Sequence, residues 1–494
     1  MPSDGPHHRG VDATSVPPLI DVAEPPDVRP RTTSDWAPAL LGVAAFVAMG
    51  VAVLLRAPAL LEPDDYAYRA SIVALTQGHL TLTPAEYQAL LTQLQDGTGP
   101  GIAQWVRTGS GSWVSEKNPG YPFLAAPFQV IGLLRLAPLF YGALGCLGLY
   151  VGARRWLGRW GGTYAVILFC SSGAALTFAW RATMPTFTDA ALIAAGAGAL
   201  VWAMLAVEHS ERRRILMGLL GFVALELAVL VRYTNLVLLV VAVVAALVAS
   251  RSAGLRWRAP AWWLTSVAVF GAGVLAFDQA VYGSALKTGY SSGEITFSLG
   301  AFRPNLAQMP AHLVRAMPMA VLALVAVGWL VVRLVRSGGL AAHVRASYRR
   351  DAAVGAALAA GWLGIWGVYL CYDWTVRQSA DLGSSVHVVR FYLPALGLVA
   401  LLAAWLLVQL PRWVPAVVLA LLVALGAWSY PQLVSGGLGA PGGPFGGPGG
   451  LPGGGPGDGF GGPPGGGGPG LGPGLGPGIG PDGAPGAPPG QPST

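Results

Sequence analysis

Eleven apolar runs, each 17 to 22 residues long, dominate this chain and leave few folds open to it: 37–57, 136–152, 161–180, 188–206, 215–231, 234–250, 261–282, 317–335, 353–372, 392–410 and 413–430. A helix needs about twenty apolar residues to cross the hydrocarbon core of a bilayer, so each run is expected to be a membrane span. Of the 494 residues 53% are hydrophobic and 11% charged, with a mean hydropathy of +0.55, so a soluble domain would be left with large apolar patches in water. The chain reads as an all-α polytopic membrane protein of about 11 transmembrane helices.

Charge between the runs sets the expected orientation, because cytoplasmic loops retain Arg and Lys. Alternate connections (ARRWLGRW, EHSERRR, RSAGLRWR, RLVRSGGLAAHVRASYRR and the PR at 411–412) hold 15 Arg, half of the 30 basic residues. A multi-pass protein of the inner (plasma) membrane is expected, with its N-terminus in the cytoplasm and its C-terminal end outside. Residues 1–36 are polar and Pro-rich, so the first run is read as an uncleaved anchor. That tail and the Gly/Pro-rich residues 431–494 carry too little apolar surface to bury and are expected to be disordered, on either side of a membrane domain at 37–430. Cys146, Cys170 and Cys371 lie in apolar runs with no CxxC pair and no His at ligand spacing, so neither a disulfide nor a zinc site is expected. No block of basic residues points to nucleic acid.

The expected outer segments differ in kind from the inner ones. The first, about 58–135, is long and should hold short helices: Thr83, Pro84 and Glu86 form a capping box leading into EYQALLTQLQ, and SEKNPGYPFLAAPF leads into a short apolar helix. Two more follow, YGSALKTGYSSGEITFSLGAFRPNL and DWTVRQSADLGSSVHVVRFYLP. Carboxylates gather on this side: Glu62, Asp64 and Asp65 after the first run, Asp189 at the start of the fourth, and Glu226 and Asp278 in the outer halves of the fifth and seventh. So do cations, namely Lys117, Arg181, Arg232, Lys287, Arg303 and Arg390, which include both lysines of the chain.

An outward cavity with carboxylates and several cations suits a phosphate-bearing substrate, since Arg and Lys are the usual partners of phosphoryl oxygens. Nucleotides are scarce on that side of the membrane, so the phosphate is expected on a lipid, as in a polyprenyl-phosphate sugar. The chemistry then needs one carboxylate to take a proton from an acceptor hydroxyl and cations to hold the leaving phosphate.

DDYAY after the first span, NPGYPFLAAPF, YGSALKTGY and the late VRFYLPALG together resemble the GT-C glycosyltransferases, over about residues 37–430. They are most similar to the glycosyltransferase family 39 group, which includes protein O-mannosyltransferases and the lipid A aminoarabinose transferase. The resemblance implies a GT-C fold and an inverting transfer from a polyprenyl-phosphate sugar to an extracytoplasmic acceptor. Asp64 matches the family's first acidic position and implied base, Asp65 the second, and Tyr68 the aromatic that follows. The chain departs from better-known members in having Asp rather than Glu at the second position, and no large folded C-terminal domain is expected within residues 431–494.

Catalytic residues are thus expected at Asp64 and Asp65, and substrate contacts at Glu62, Tyr68, Lys117, Arg181, Asp189, Lys287, Tyr290, Arg390 and Tyr392. Plainer roles exist for each kind: adjacent aspartates suit a helix N-terminus, Asp189 a helix first turn, and Lys117, Lys287 and Arg390 a headgroup layer. Glu226 and Asp278 are expected to pair with Arg232 or another buried cation, and His387 reads as a loop histidine. The first-loop carboxylates are compatible with a divalent cation, although no ligand spacing demands a metal or other cofactor. A transporter or lipid flippase with a charged outward cavity is the alternative, but no half-to-half repeat supports it. A non-catalytic scaffold acting through the Gly/Pro tail is a third.

Overall fold

The computed structural model describes residues 36–58, 60, 62–95, 101–252, 257–290, 296–336, 342–378 and 385–435. The expected tails lie outside these residues, except that Trp36 and residues 431–435 are described and the latter belong to the last helix. In chain order the elements are α1 (Ala37–Leu54), α2 (Pro63–Thr76), α3 (Pro84–Leu94), β1 (Trp105–Arg107), β2 (Trp113–Ser115), α4 (Gly120–Val130), α5 (Ala137–Cys170), α6 (Gly173–Trp180), α7 (Thr186–Leu205), α8 (Glu211–Val231) and α9 (Leu236–Ser252). Then come α10 (Arg258–Tyr282), α11 (Leu299–Ala316), α12 (Met319–Arg336), α13 (Ala342–Leu370), α14 (Asp373–Gln378), α15 (Ser385–Tyr392), α16 (Leu396–Leu407) and α17 (Trp413–Ser435).

By length and composition, ten helices among the described residues can cross a membrane, against about eleven expected. The difference arises in α5, where the run 136–152 and the first half of the run 161–180 join into one continuous element with a single non-helical residue, Gly158, and the rest of the second run forms α6. The chain reverses at Gly158. Cys146 and Cys170 would stand about 36 Å apart on a straight helix, yet their sulfurs are 3.6 Å apart, both as free thiols. Returning on itself, α5 packs hard against α7 through small residues: a methyl at Gly152 would meet the Gly198 oxygen at 2.4 Å, and one at Gly148 the Ala195 Cα at 2.6 Å. Such close backbone approach holds apolar helices together where lipid removes any hydrophobic drive between them.

The core lies where α5, α7 and α16 meet. Every residue of α16 is buried, and so is most of α7, whereas α10 keeps only Ala259, Pro260, Trp263 and Asp278 from the surroundings. The apolar surface of α10, α12 and α17 faces outward, as lipid-facing helices require.

The first long connection carries α2, α3, a hairpin and α4. The capping box is present as expected: Thr83 N donates to Glu86 Oε2 at 2.7 Å and Glu86 N to Thr83 Oγ1 at 3.3 Å. The antiparallel β1–β2 ribbon, with Val106 opposite Val114, was not anticipated. It closes a small separate core in which Leu82, Leu90, Leu94 and Trp105 are buried and Tyr87 stacks on Trp113 at 4.2 Å. A second correction concerns residues 299–316, expected as part of a connection. They form α11, a helix that includes Pro304 and Pro310 and buries Asn305, Met309, His312 and Leu313 on one side.

Candidate active site

Five junctions of the fold meet at one end of the bundle: α1 to α2, β2 to α4, α6 to α7, α8 to α9, and α15 into the short turn before α16. Each contributes charged or polar side chains. They converge on the first turn of α2, which starts with Pro63 at its first position.

Glu62 is the extended residue that caps α2, and its backbone N–H donates to Asp65 Oδ2 at 3.0 Å. This reciprocal box turns both carboxylates inward, the plainer role foreseen for adjacent acids at a helix start. Beneath them lies Arg181, at the α6–α7 junction and almost fully buried, which donates to Glu62 Oε1 at 2.8 Å and pairs with Asp65 Oδ2. Thr183 Oγ1 donates to the other Asp65 oxygen at 2.7 Å. Asp65 is fully buried, and both of its oxygens accept hydrogen bonds. Glu62 also takes His387 Nδ1 at 3.1 Å and Arg390 from α15.

Asp64 faces the other way. Its side chain keeps 20% of its surface exposed, against 0% for Asp65, and each oxygen meets one cation. Lys117 Nζ is 3.0 Å from Oδ1 and Arg390 Nη1 is 2.8 Å from Oδ2. Lys117 stands over the Tyr290 ring at 5.1 Å and 3.4 Å from Glu116 Oε1. The Arg390 guanidinium lies 5.0 Å from the Trp374 ring and 4.8 Å from that of Phe391.

Two glycines explain how the sequence places the Lys117 side. In NPGYP, Gly120 passes so near the end of α8 that a Cβ would meet the Leu230 carbonyl carbon at 2.4 Å. In KTGY, Gly289 lies against Glu116, where a Cβ would meet the Cα at 2.5 Å, and this contact carries Tyr290 to Lys117. Tyr121 then ties the same segment to the α6–α7 junction, donating to the Ala182 carbonyl.

Charge decides the protonation states. Burial would raise the Asp64 carboxyl, but Lys117 and then Arg390 outweigh it and hold its pKa at about 2. Glu62 is likewise buried, yet Arg181, Arg390 and His387 bring it well below the ordinary carboxylate range. Lys117 is buried too, and Asp64 more than compensates, raising its pKa and keeping the ammonium charged.

Of the residues singled out from sequence, Glu62, Asp64, Asp65, Lys117, Arg181, Tyr290 and Arg390 come together. Tyr68, on α2 one turn beyond Asp64, is buried edge-on against Tyr121 at 5.9 Å. Asp189 joins a neighbouring pair: Arg232 Nε is 3.3 Å away and Asn235 Nδ2 donates to it at 2.6 Å. Arg232 also donates to the Arg390 carbonyl at 3.2 Å, which links that pair to the site. Lys287 is exposed and takes no part among the described residues. Tyr392 lies in the core beside Trp366 and Tyr369 rather than at the cluster. The expected pairing of Glu226 and Asp278 with a buried cation is replaced by neutral partners, since Glu226 accepts from Ser266 at 2.9 Å and Asp278 from Tyr233 at 3.1 Å. His387 sits on helix α15, not in a loop, and its spacing of three residues from Arg390 puts both on one helix face against Glu62, a signal that the loop reading missed.

The three carboxylates are held by shared basic groups, Arg181 between Glu62 and Asp65 and Arg390 between Glu62 and Asp64. Among the described residues no cluster of three or more His, Cys, Asp or Glu side chains is arranged to hold a metal. The site can instead accept a proton at Asp64 and hold an anion between Lys117 and Arg390.

No protein-family model and no curated protein matches the chain. Solved structures do. ArnT from Cupriavidus metallidurans bound to undecaprenyl phosphate is similar over 81% of this chain and 65% of its own, with a TM-score of 0.50 and 17% identity. The fold is that of the GT-C membrane glycosyltransferases. The apo form of the same ArnT gives the same coverage and TM-score at 15% identity. The Archaeoglobus fulgidus oligosaccharyltransferase in its apo form covers 81% of this chain and 56% of its own, with a TM-score of 0.49 and 10% identity. The chain spans a little less than two thirds of ArnT's length, and its charged cluster lies on the first long connection and the helix ends around it.

Proposed function

We propose that the chain is a membrane glycosyltransferase that moves a sugar from a polyprenyl-phosphate donor to an acceptor hydroxyl on the outer face of the cytoplasmic membrane. Asp64 takes the proton of the acceptor O–H. The acceptor oxygen bonds to the anomeric carbon from the face opposite the phosphate, inverting it. The anomeric C–O bond breaks, and its electron pair leaves on the phosphate held by Lys117 and Arg390. A phosphate leaves readily, so no second carboxylic acid is needed as it is in glycosidases.

One observation carries this reading: the only partly exposed carboxylate of the cluster sits between two cations, in a fold whose solved relative ArnT was captured with undecaprenyl phosphate. The acceptor is a glycan, lipid or protein of the cell envelope. Arg181, Glu62 and Asp65 form the base on which α2 is held.

The test is profiling of envelope lipids and glycans in the source organism with and without this chain, paired with label transfer by the purified protein from a polyprenyl-phosphate sugar. The proposal expects one sugar to vanish from one acceptor class and the protein to restore it. Intact donor accompanied by solute flux through proteoliposomes would replace it with transport.

A further inference from the structure

Asp64 and a donor phosphate require the same two cations. Lys117 and Arg390 each contact one Asp64 oxygen, so the carboxylate fills the cradle that an incoming anion would occupy. Both cations have second anchors that do not depend on Asp64. Arg390 Nη1 also binds Glu62, with its guanidinium beside the Trp374 and Phe391 rings, while Lys117 is fixed by Glu116 and the Tyr290 ring. If Asp64 turned away, the cradle would stand.

Asp64 is also the least enclosed carboxylate of the cluster. Asp65 is closed in by Arg181, Thr183 and the Glu62 N–H, whereas one fifth of Asp64 faces outward. Charge pushes in the same direction. Glu62, Asp64, Asp65 and Glu116 bring four carboxylates against the three cations Lys117, Arg181 and Arg390, with His387 beside Glu62. A phosphodiester adds one more negative charge to a site already lined by four carboxylates, and a crowded anion is forced either to move or to take a proton.

We infer that Asp64 is a built-in competitor of the donor: the phosphate takes Lys117 and Arg390 from the Asp64 carboxylate, and that exchange releases Asp64 to accept the acceptor's proton. The base is masked until the donor is seated. The exchange balances through the step, since the proton arriving on Asp64 removes one negative charge as the phosphate gains one on leaving the sugar. The inference rests on the glycosyltransferase reading above and adds an order of events to it.

The experiment measures binding of a polyprenyl phosphate, without sugar, to the purified full chain and to Asp64→Asn, Lys117→Met and the double variant. Removing the competing charge should tighten binding in Asp64→Asn by about tenfold, while Lys117→Met weakens it. In the double variant the gain from Asp64→Asn should shrink, because one of the contested cations is absent. Equal or weaker binding by a folded Asp64→Asn protein, with a cooperative thermal transition, would overturn the exchange and leave the glycosyltransferase reading standing. Absence of binding in all four proteins would overturn both.

Discussion

Asp65 and Asp64 are adjacent in sequence and chemically identical, yet the fold treats them as opposites. Asp65 points into the bundle, where Arg181 and Thr183 enclose it at 0% exposure, and Asp64 points along the surface of the site towards two cations that each have other anchors. One carboxylate is part of the framework and the other is available for chemistry. Under the proposed function this pair of acids has two jobs, and the helix turn that separates the side chains by about 100° assigns them.

The sharpest way to break this contrast is to attack its framework half. Arg181→Met would leave Glu62 and Asp65 as buried anions with too few partners, and the loss should be about 3–5 kcal/mol, read as a large fall in the melting temperature of the detergent-solubilised protein. The next largest effect falls on the chemical half. Asp64→Asn should lower kcat by about 10²–10⁴ and cost only the modest stability of its two ion pairs, whereas Asp65→Asn should lose activity together with a larger share of stability. Should Asp64→Asn melt early and Asp65→Asn melt normally, the assignment of the two residues is reversed.

Lys117→Met should weaken donor binding by roughly 10–100-fold, the scale of one lost charge-assisted contact, and should change stability less than Arg181→Met does. Acid gives a gentler probe. Because the folded pKa of Asp64 is depressed to about 2, its pairs with Lys117 and Arg390 contribute stability that is full above the unfolded value near 4. That contribution should fade as pH falls from about 4 to 2, and Asp64→Asn should flatten the decline over this window. Smallest of all, Lys287→Ala should alter stability by no more than about 0.5 kcal/mol and leave turnover within about twofold, since the lysine is exposed and outside the cluster.

Much of the architecture was legible because it depends on patterns local to the chain. Apolar runs of span length became helices, and Thr83, Pro84 and Glu86 capped α3 as their spacing predicts. The gathering of Lys117, Arg181 and Arg390 around Glu62, Asp64 and Asp65 followed from counting which charges share one membrane face. What could not be read depends on partners distant in sequence. The strands WVR and WVS are three residues each and owe their pairing to a core that Tyr87 and Trp105 complete from either side. Helix α11 contains two prolines that argue against it locally, and it forms against α13 and α15. Arg232 pairs with Asp189 because antiparallel α7 and α8 bring the start of one beside the end of the other, which no linear spacing reveals. Tyr392 shows the converse error: the VRFYLP motif suggests a ligand contact, but two steps along a helix turn Tyr392 from the Arg390 side into the core.

The central claim is that Asp64 drives sugar release from a lipid phosphate. Phosphorus NMR of the purified chain with a polyprenyl-phosphate sugar and an envelope extract as acceptor source follows that step directly, since the donor is a phosphodiester and the product a phosphomonoester. The account predicts conversion of diester to monoester by the wild-type chain and near-complete loss of conversion in a normally folded Asp64→Asn protein. Conversion at the wild-type rate by Asp64→Asn would contradict it.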